Sequence, residues 1–83
     1  MTFKIKKIEP SLNFTLKVEF DDGKKVVYDV KDDMNTLPRY DDLRKIVGLF
    51  NQVKLDKSRT IVYWNDYIDL PSHALYEYGI LQK

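Results

Sequence analysis

The stretch Leu12-Asn13-Phe14-Thr15-Leu16-Lys17-Val18-Glu19-Phe20-Asp21-Asp22-Gly23-Lys24-Lys25-Val26-Val27-Tyr28-Asp29-Val30 decides the fold class. Leu12, Phe14, Leu16, Val18 and Phe20 alternate with Asn13, Thr15, Lys17 and Glu19. That period of two predicts a strand with one buried face. Asp21-Asp22-Gly23-Lys24 reads as a hairpin turn, because Asp-Gly tolerates the positive φ such turns demand. Val26, Tyr28 and Val30 resume the alternation. Upstream, Phe3 to Glu9 begins as a strand with Phe3 and Ile5 on one face and Lys4 and Lys6 on the other. Ile8 falls on the wrong parity, so a bulge at Lys6-Lys7 is expected to absorb one residue. Pro10 is expected to end pairing there. Three antiparallel strands in a meander follow.

Downstream, Lys31 to Leu37 is polar and reads as a loop. Pro38 suits the first turn of a helix, where its missing N–H costs nothing. Tyr40, Leu43, Ile46 and Val47 recur at helical spacing, and Gly48 reads as the stop. Val53 and Leu55 predict a fourth strand beginning near Phe50. Asp56 to Arg59 is a turn, and Thr60 to Trp64 is a β-branched and aromatic fifth strand with Trp64 in the core. Asn65-Asp66 turns the chain. Pro71 to Tyr78 predicts a short last helix with Ala74, Leu75 and Tyr78 on one side and Gly79 closing it. Strands, a helix, a two-stranded hairpin and a helix form an α+β order rather than a βαβ repeat. The architecture expected is a two-layer sandwich, one domain over residues 1–83. Its open sheet face carries Lys4, Lys6, Thr15, Lys17, Glu19, Lys25 and Asp29.

The 83 residues fit that single domain, since a chain of this size buries only about 60–65% of its unfolded surface. Fourteen Lys and Arg oppose 13 Asp and Glu, so the net charge of +1 marks neither a strong polyanion binder nor an acidic mimic. Cysteine is absent, which excludes disulfides, thiolate metal sites and a cysteine nucleophile. The longest purely apolar run, Ile61-Val62-Tyr63-Trp64, is far shorter than a signal peptide or a membrane helix needs. A soluble cytoplasmic protein without membrane contact is expected.

Catalytic constellations are sparse. His73 is the single histidine and adjoins Ser72, but neighbours on a helix point in different directions. A nucleophile–base pair would also need an orienting group and an oxyanion site. Asp21-Asp22 serve the hairpin turn and Asp41-Asp42 the helix start. Asp29, Asp32 and Asp33 have no such duty and could cluster, although a solvated loop is the simpler expectation. No carboxylate pair has the spacing of a calcium loop, and no glycine-rich phosphate loop is present. We therefore expect no catalytic residue, no metal and no cofactor. Aromatics gather near the C-terminus, and Tyr63, Tyr67, Tyr76 and Tyr78 cannot all be buried in so small a domain. At least two are expected to be exposed near Asp66, Asp69 and Glu77. Tyrosines rimmed by carboxylates make a candidate partner-binding set: Tyr63, Asp66, Tyr67, Asp69, Tyr76, Glu77 and Tyr78. Its acidity favours a basic partner over DNA. The alternative is that the tyrosines cap the edge of the core.

Four segments, in order, resemble the small bacterial domain-of-unknown-function family 2442. They are Val18-Glu19-Phe20-Asp21-Asp22-Gly23, Phe50-Asn51-Gln52-Val53, Trp64 with Asp69, and Leu75-Tyr76-Glu77. The sequence departs from the family pattern at Tyr67, near a position that usually carries Gly, and at Pro71, about one place early. The resemblance implies an α+β sandwich and supplies no catalytic residue. Some members look fused to a helix-turn-helix, and others sit beside a second small protein in what looks like a toxin–antitoxin arrangement. This chain, ending at Lys83, is expected to carry no DNA-binding appendage. The functional expectation is a non-enzymatic protein-interaction module, in its sharper form the antitoxin-like half of a two-component pair. Its partner would be another small protein, and homo-oligomers are compatible with this reading. The alternative is a nucleic-acid-associated transcriptional regulator.

Overall fold

The hairpin predicted by the alternation is present. In the computed structural model, which describes residues 3–65 and 67–81, strand β2 (Thr15–Phe20) pairs antiparallel with β3 (Lys25–Asp29), Val18 opposite Val26. Gly23, at φ +92°, closes the turn in a conformation that only glycine adopts freely. Strand β1 (Ile5–Ser11) pairs with β2, and its register slips between Ile5 and Lys7, where the parity break predicts a bulge.

Two expectations at this sheet are corrected. Pro10 does not end pairing: it lies opposite Leu16, and Ser11 lies opposite Thr15. β1 is an edge strand, so the donor that proline lacks is not required on its outer side. Nor does β2 begin at Leu12. With Ser11 already paired to Thr15, only residues 12–14 remain to reverse the chain. They do so as a 3-10 turn with Asn13 and Phe14 at φ near +60°. The apparent alternation at Leu12 and Phe14 belongs to that turn, and Leu12 is exposed.

The middle of the chain departs most from expectation. Lys31–Thr36 is a helix, α1, not a loop. Asp29 accepts the Lys31 N–H at 2.9 Å, Asp32 and Asp33 sit in the first turn, and Met34 is buried. One inward residue in six leaves no periodicity to read. The helix expected from Pro38 is a 3-10 turn (Pro38–Asp41) followed by one α turn, α2 (Asp42–Lys45). Tyr40 and Leu43 are buried as expected, but Ile46 and Val47 are exposed. The backbone becomes extended at β-branched Ile46, and Gly48 at φ +82° turns Phe50 back toward the core. Phe50 itself begins a 3-10 turn (Phe50–Gln52) rather than a strand.

Strands β4 (Lys54–Leu55), β5 (Ile61–Tyr63) and β6 (Asp69–Pro71) form a second antiparallel sheet in that order. Helix α3 (Ser72–Tyr78) follows, and β7 (Ile80–Leu81) returns to pair with β3, giving the first sheet the order β1-β2-β3-β7. β6 and β7 are too short to show a period. On α3, Leu75 is fully buried, whereas Tyr78 points outward, contrary to expectation. Tyr76 instead stacks on Phe3 at 4.0 Å and meets Phe20 edge-on at 4.8 Å. The α+β class is as expected, with two sheets around one core drawn from both: Ile5, Leu16, Val18, Phe20 and Val26 from the first, and Val62, Trp64, Ile68 and Leu70 from the second side.

Two substitutions test this packing. A Cβ at Gly79 would lie 2.6 Å from the Leu75 carbonyl oxygen and 2.7 Å from Val26 Cγ2. Gly79→Ala should therefore lower stability by about 1–3 kcal/mol, read as a shift of the urea midpoint. Trp64, 5% exposed, donates its Nε1–H to the Phe50 carbonyl at 3.0 Å. Trp64→Ala should cost about 3–5 kcal/mol in the same titration, and a wild-type midpoint would show that the ring is not part of the core.

Candidate functional site

The open face of the first sheet shows why a charged surface need not be a binding surface. Its register sets Lys7 opposite Glu19, Glu9 opposite Lys17 and Glu19 opposite Lys25, while Lys6 Nζ lies 3.7 Å from Glu19. Opposite charges directly across strands satisfy one another. The face is a ladder of alternating sign, not the basic stripe that a nucleic-acid backbone requires.

A different composition lines the cleft between the β3–α1 corner and the α3–β7 segment. Tyr28 and Asp29 end β3, and Asp32 and Asp33 open α1. Across from them stand Ala74 and Tyr78 of α3 and Ile80 of β7, with Leu70 of β6 completing the lining. The cleft holds about 550 Å³. Three carboxylates and no cation line it. Tyr78 is 73% exposed, and Ile80 is exposed beside it. β7 is what creates this wall: Val27 pairs with Ile80 and Val26 with Leu81, bringing the end of the chain beside β3.

Tyr28 donates its hydroxyl to Asp33 Oδ2 at 2.6 Å. Burial first, and then that carboxylate, push the phenol well above its ordinary range. Burial works against ionisation of Asp29 as well. The N–H and ammonium of Lys31, the latter 3.1 Å away, more than offset it and hold the carboxyl below the usual range.

The six described residues of the candidate set do not all line one cleft. Tyr63 is half-buried on β5, in register with Asp69 on β6. Tyr67 is 77% exposed in the turn before β6, where Asn65 Oδ1 accepts its N–H and that of Ile68. Asp66 lies outside the described residues. Tyr76 is structural: besides its ring contacts, it donates its hydroxyl to Asp22 at 2.7 Å, and the Lys24 ammonium sits 3.9 Å from the ring centroid. Glu77 is exposed on α3, and of the six described residues only Tyr78 lines the cleft. Two of the four tyrosines, Tyr67 in the turn before β6 and Tyr78 on α3, are thus strongly exposed. Asp29, Asp32 and Asp33 do gather at one corner, where Asp29 accepts the Lys31 N–H and Asp32 and Asp33 open α1; the sequence alone assigns them no duty because residues 31–37 read as a loop. Leu70, Ala74 and Ile80 carry no signal in the sequence, because their place in the cleft depends on long-range pairing. His73 is exposed while Ser72 is buried with its N–H given to the Thr60 carbonyl. Among the described residues no three histidine or acidic groups converge to hold a metal, and no helix is long and apolar enough to cross a membrane.

A family model described as "Protein of unknown function (DUF2442)" matches residues 5–80. The chain belongs to the DUF2442 family. The match runs from the first residue of β1 into β7, so both sheets and all three helices of this DUF2442 chain fall within it. No curated protein and no solved structure matches the chain.

The raised Tyr28 phenol has a consequence for stability. The folded state favours the protonated form, so the contribution of Tyr28 is intact below about pH 10, the ordinary tyrosine value, and is lost as the pH rises beyond it. Thermal melts should show Tm falling above that pH, and falling less steeply in Tyr28→Phe. Equal slopes would remove Tyr28 from the explanation. At neutral pH the same substitution should cost about 0.5–1.5 kcal/mol through the lost bond to Asp33.

Proposed function

We propose that this DUF2442 chain is a non-enzymatic, cytoplasmic protein-interaction module. In this reading a basic segment of a second small protein enters the acidic cleft, and the chain serves as the neutralising half of a two-component pair. The observation that carries the reading is the cleft itself. Its lining combines the carboxylates of Asp29, Asp32 and Asp33 with the apolar or aromatic side chains of Leu70, Ala74, Tyr78 and Ile80, and no lining residue is a cation. An aromatic anchor beside an exposed carboxylate is the combination that gives both affinity and choice of partner. Of the three acids, Asp29 is paired to Lys31 and Asp33 accepts from Tyr28, while Asp32 on the exposed side of α1 is placed to meet an incoming Arg or Lys. Glu9 and Glu19 interrupt the lysines of the open sheet face, which weighs against the alternative of a nucleic-acid regulator.

The reading is tested by titrating the isotope-labelled chain with a short peptide of alternating arginine and leucine, and with its glutamate–leucine counterpart. The basic peptide should move the amides of Tyr28, Asp29, Asp32, Tyr78 and Ile80, and the acidic one should leave them in place. Asp32→Lys and Tyr78→Ala should each weaken binding by about tenfold or more, the effect of removing roughly 1.4 kcal/mol. Shifts confined to Lys7, Lys17 and Lys25, or equal binding of both peptides, would contradict it.

A further inference from the structure

The two edges of the first sheet are finished differently. β1 and β7 are its outer strands. β1 carries the devices that keep an edge from pairing with a foreign chain: a bulge between Ile5 and Lys7, Pro10 within the strand, and charged Lys6, Lys7 and Glu9 along it. Its first N–H, that of Ile5, is already given to the Arg59 carbonyl at 2.8 Å. β7, Ile80–Leu81, has no charge, no proline and no bulge. Successive side chains of a strand point to opposite faces, so exposures of 72% for Ile80 and 61% for Leu81 leave both faces of β7 open.

The register says which backbone groups this edge offers. Bonding direction alternates along an antiparallel pair. The Lys24 carbonyl accepts from Phe20 and Val30 donates to the Phe14 carbonyl, so the even-numbered residues of this stretch bond toward β2. Val27 therefore bonds toward β7, where it lies opposite Ile80. Leu81, the next residue, turns its N–H and C=O to the outer edge, where an extended segment can exchange two backbone bonds with it. Ile80 then decides what kind of segment fits. It shares a face with Val27 and hence with Asp29, two residues along β3, and both Ile80 and Asp29 line the acidic cleft. A residue placed opposite Leu81 lies beside an apolar side chain, and its two neighbours fall on the Ile80 face, toward a cleft whose lining holds carboxylates and no cation. We infer that the partner's basic segment binds as an added β-strand, its backbone paired with Leu81, an apolar side chain on that of Leu81, and the flanking basic side chains directed into the cleft. This rests on the reading of the cleft above and adds the conformation of the segment and the backbone that holds it.

The labelled whole chain, titrated with the arginine–leucine peptide, tests this with hydrogen exchange of the Leu81 amide as the readout. Saturating peptide should slow that exchange by about tenfold or more. Leu81→Pro removes the outward N–H and leaves the pairing of Ile80 with Val27 in place. It should weaken peptide binding by about three- to tenfold, the loss of one backbone hydrogen bond, with circular dichroism and Tm unchanged. Leu81→Ala keeps the N–H and should weaken binding less. Peptide that moves the amides of Tyr28, Asp29 and Asp32 while Leu81 exchanges as before, and that binds Leu81→Pro as tightly as wild type, overturns strand addition and leaves the reading of the cleft standing. No movement of those cleft amides overturns both. Protection of Leu81 that grows with chain concentration in the absence of peptide also overturns the inference, because the edge then takes a second copy.

Discussion

The stack of Trp64 on Phe50 joins the two halves of this protein. The rings lie 5.8 Å apart, the indole N–H is bound to the Phe50 carbonyl, and Phe50 in turn meets Phe14 edge-on at 5.3 Å. Trp64 follows β5 of the three-stranded sheet, and Phe14 leads into β2 of the four-stranded one. The aromatic relay therefore runs from one sheet to the other through the middle of the chain. Strands of two or three residues have little stability of their own. The second sheet depends on this contact, reinforced by the Arg59 carbonyl accepting the Ile5 N–H and by the two-pronged Arg59–Asp21 pair.

The same constraint accounts for the surfaces. A chain of 83 residues can enclose one core, and most of its large apolar side chains are committed to it. Among those left outside, Leu12, Ile46 and Val47 border one groove, and Tyr78 and Ile80 line the cleft. The core positions the cleft. Buried Val30 and Met34 fix the corner that carries the three aspartates, and buried Leu75 fixes the helix that carries Tyr78. Tyr40 adds a tie by donating its hydroxyl to the Asp69 carbonyl, linking the middle of the chain to β6.

How far the sequence could be read follows from how many residues each element devotes to its pattern. Residues 15–29 repeat their alternation long enough to be unmistakable, and the parity slip at Lys6-Lys7 locates the bulge. Leu12 and Phe14 mimic the same alternation while belonging to a turn, a coincidence that only the pairing of Ser11 with Thr15 resolves. α1 offers one buried side chain, and β6 and β7 offer three and two residues, below the length at which a period exists. Ile46 and Val47 continue a helical spacing that the backbone abandons at Ile46. At the site, the chemistry of tyrosines among carboxylates was legible, but its grouping was not. Nearness in sequence joined Tyr67, Tyr76 and Tyr78, whereas the fold sends each to a different place. Tyr78 meets Asp29, Asp32 and Asp33 only because β7 pairs with β3.

If the aromatic relay makes one folding unit of the two sheets, neither can melt alone. Urea unfolding followed simultaneously by Trp64 fluorescence and by the amide resonances of β2 and β3 tests this most directly. The fluorescence reports the three-stranded side, and the amides report the four-stranded sheet. The account predicts a single transition with the same midpoint and slope for both probes. An earlier loss of the tryptophan signal while β2 and β3 stay protected would contradict it.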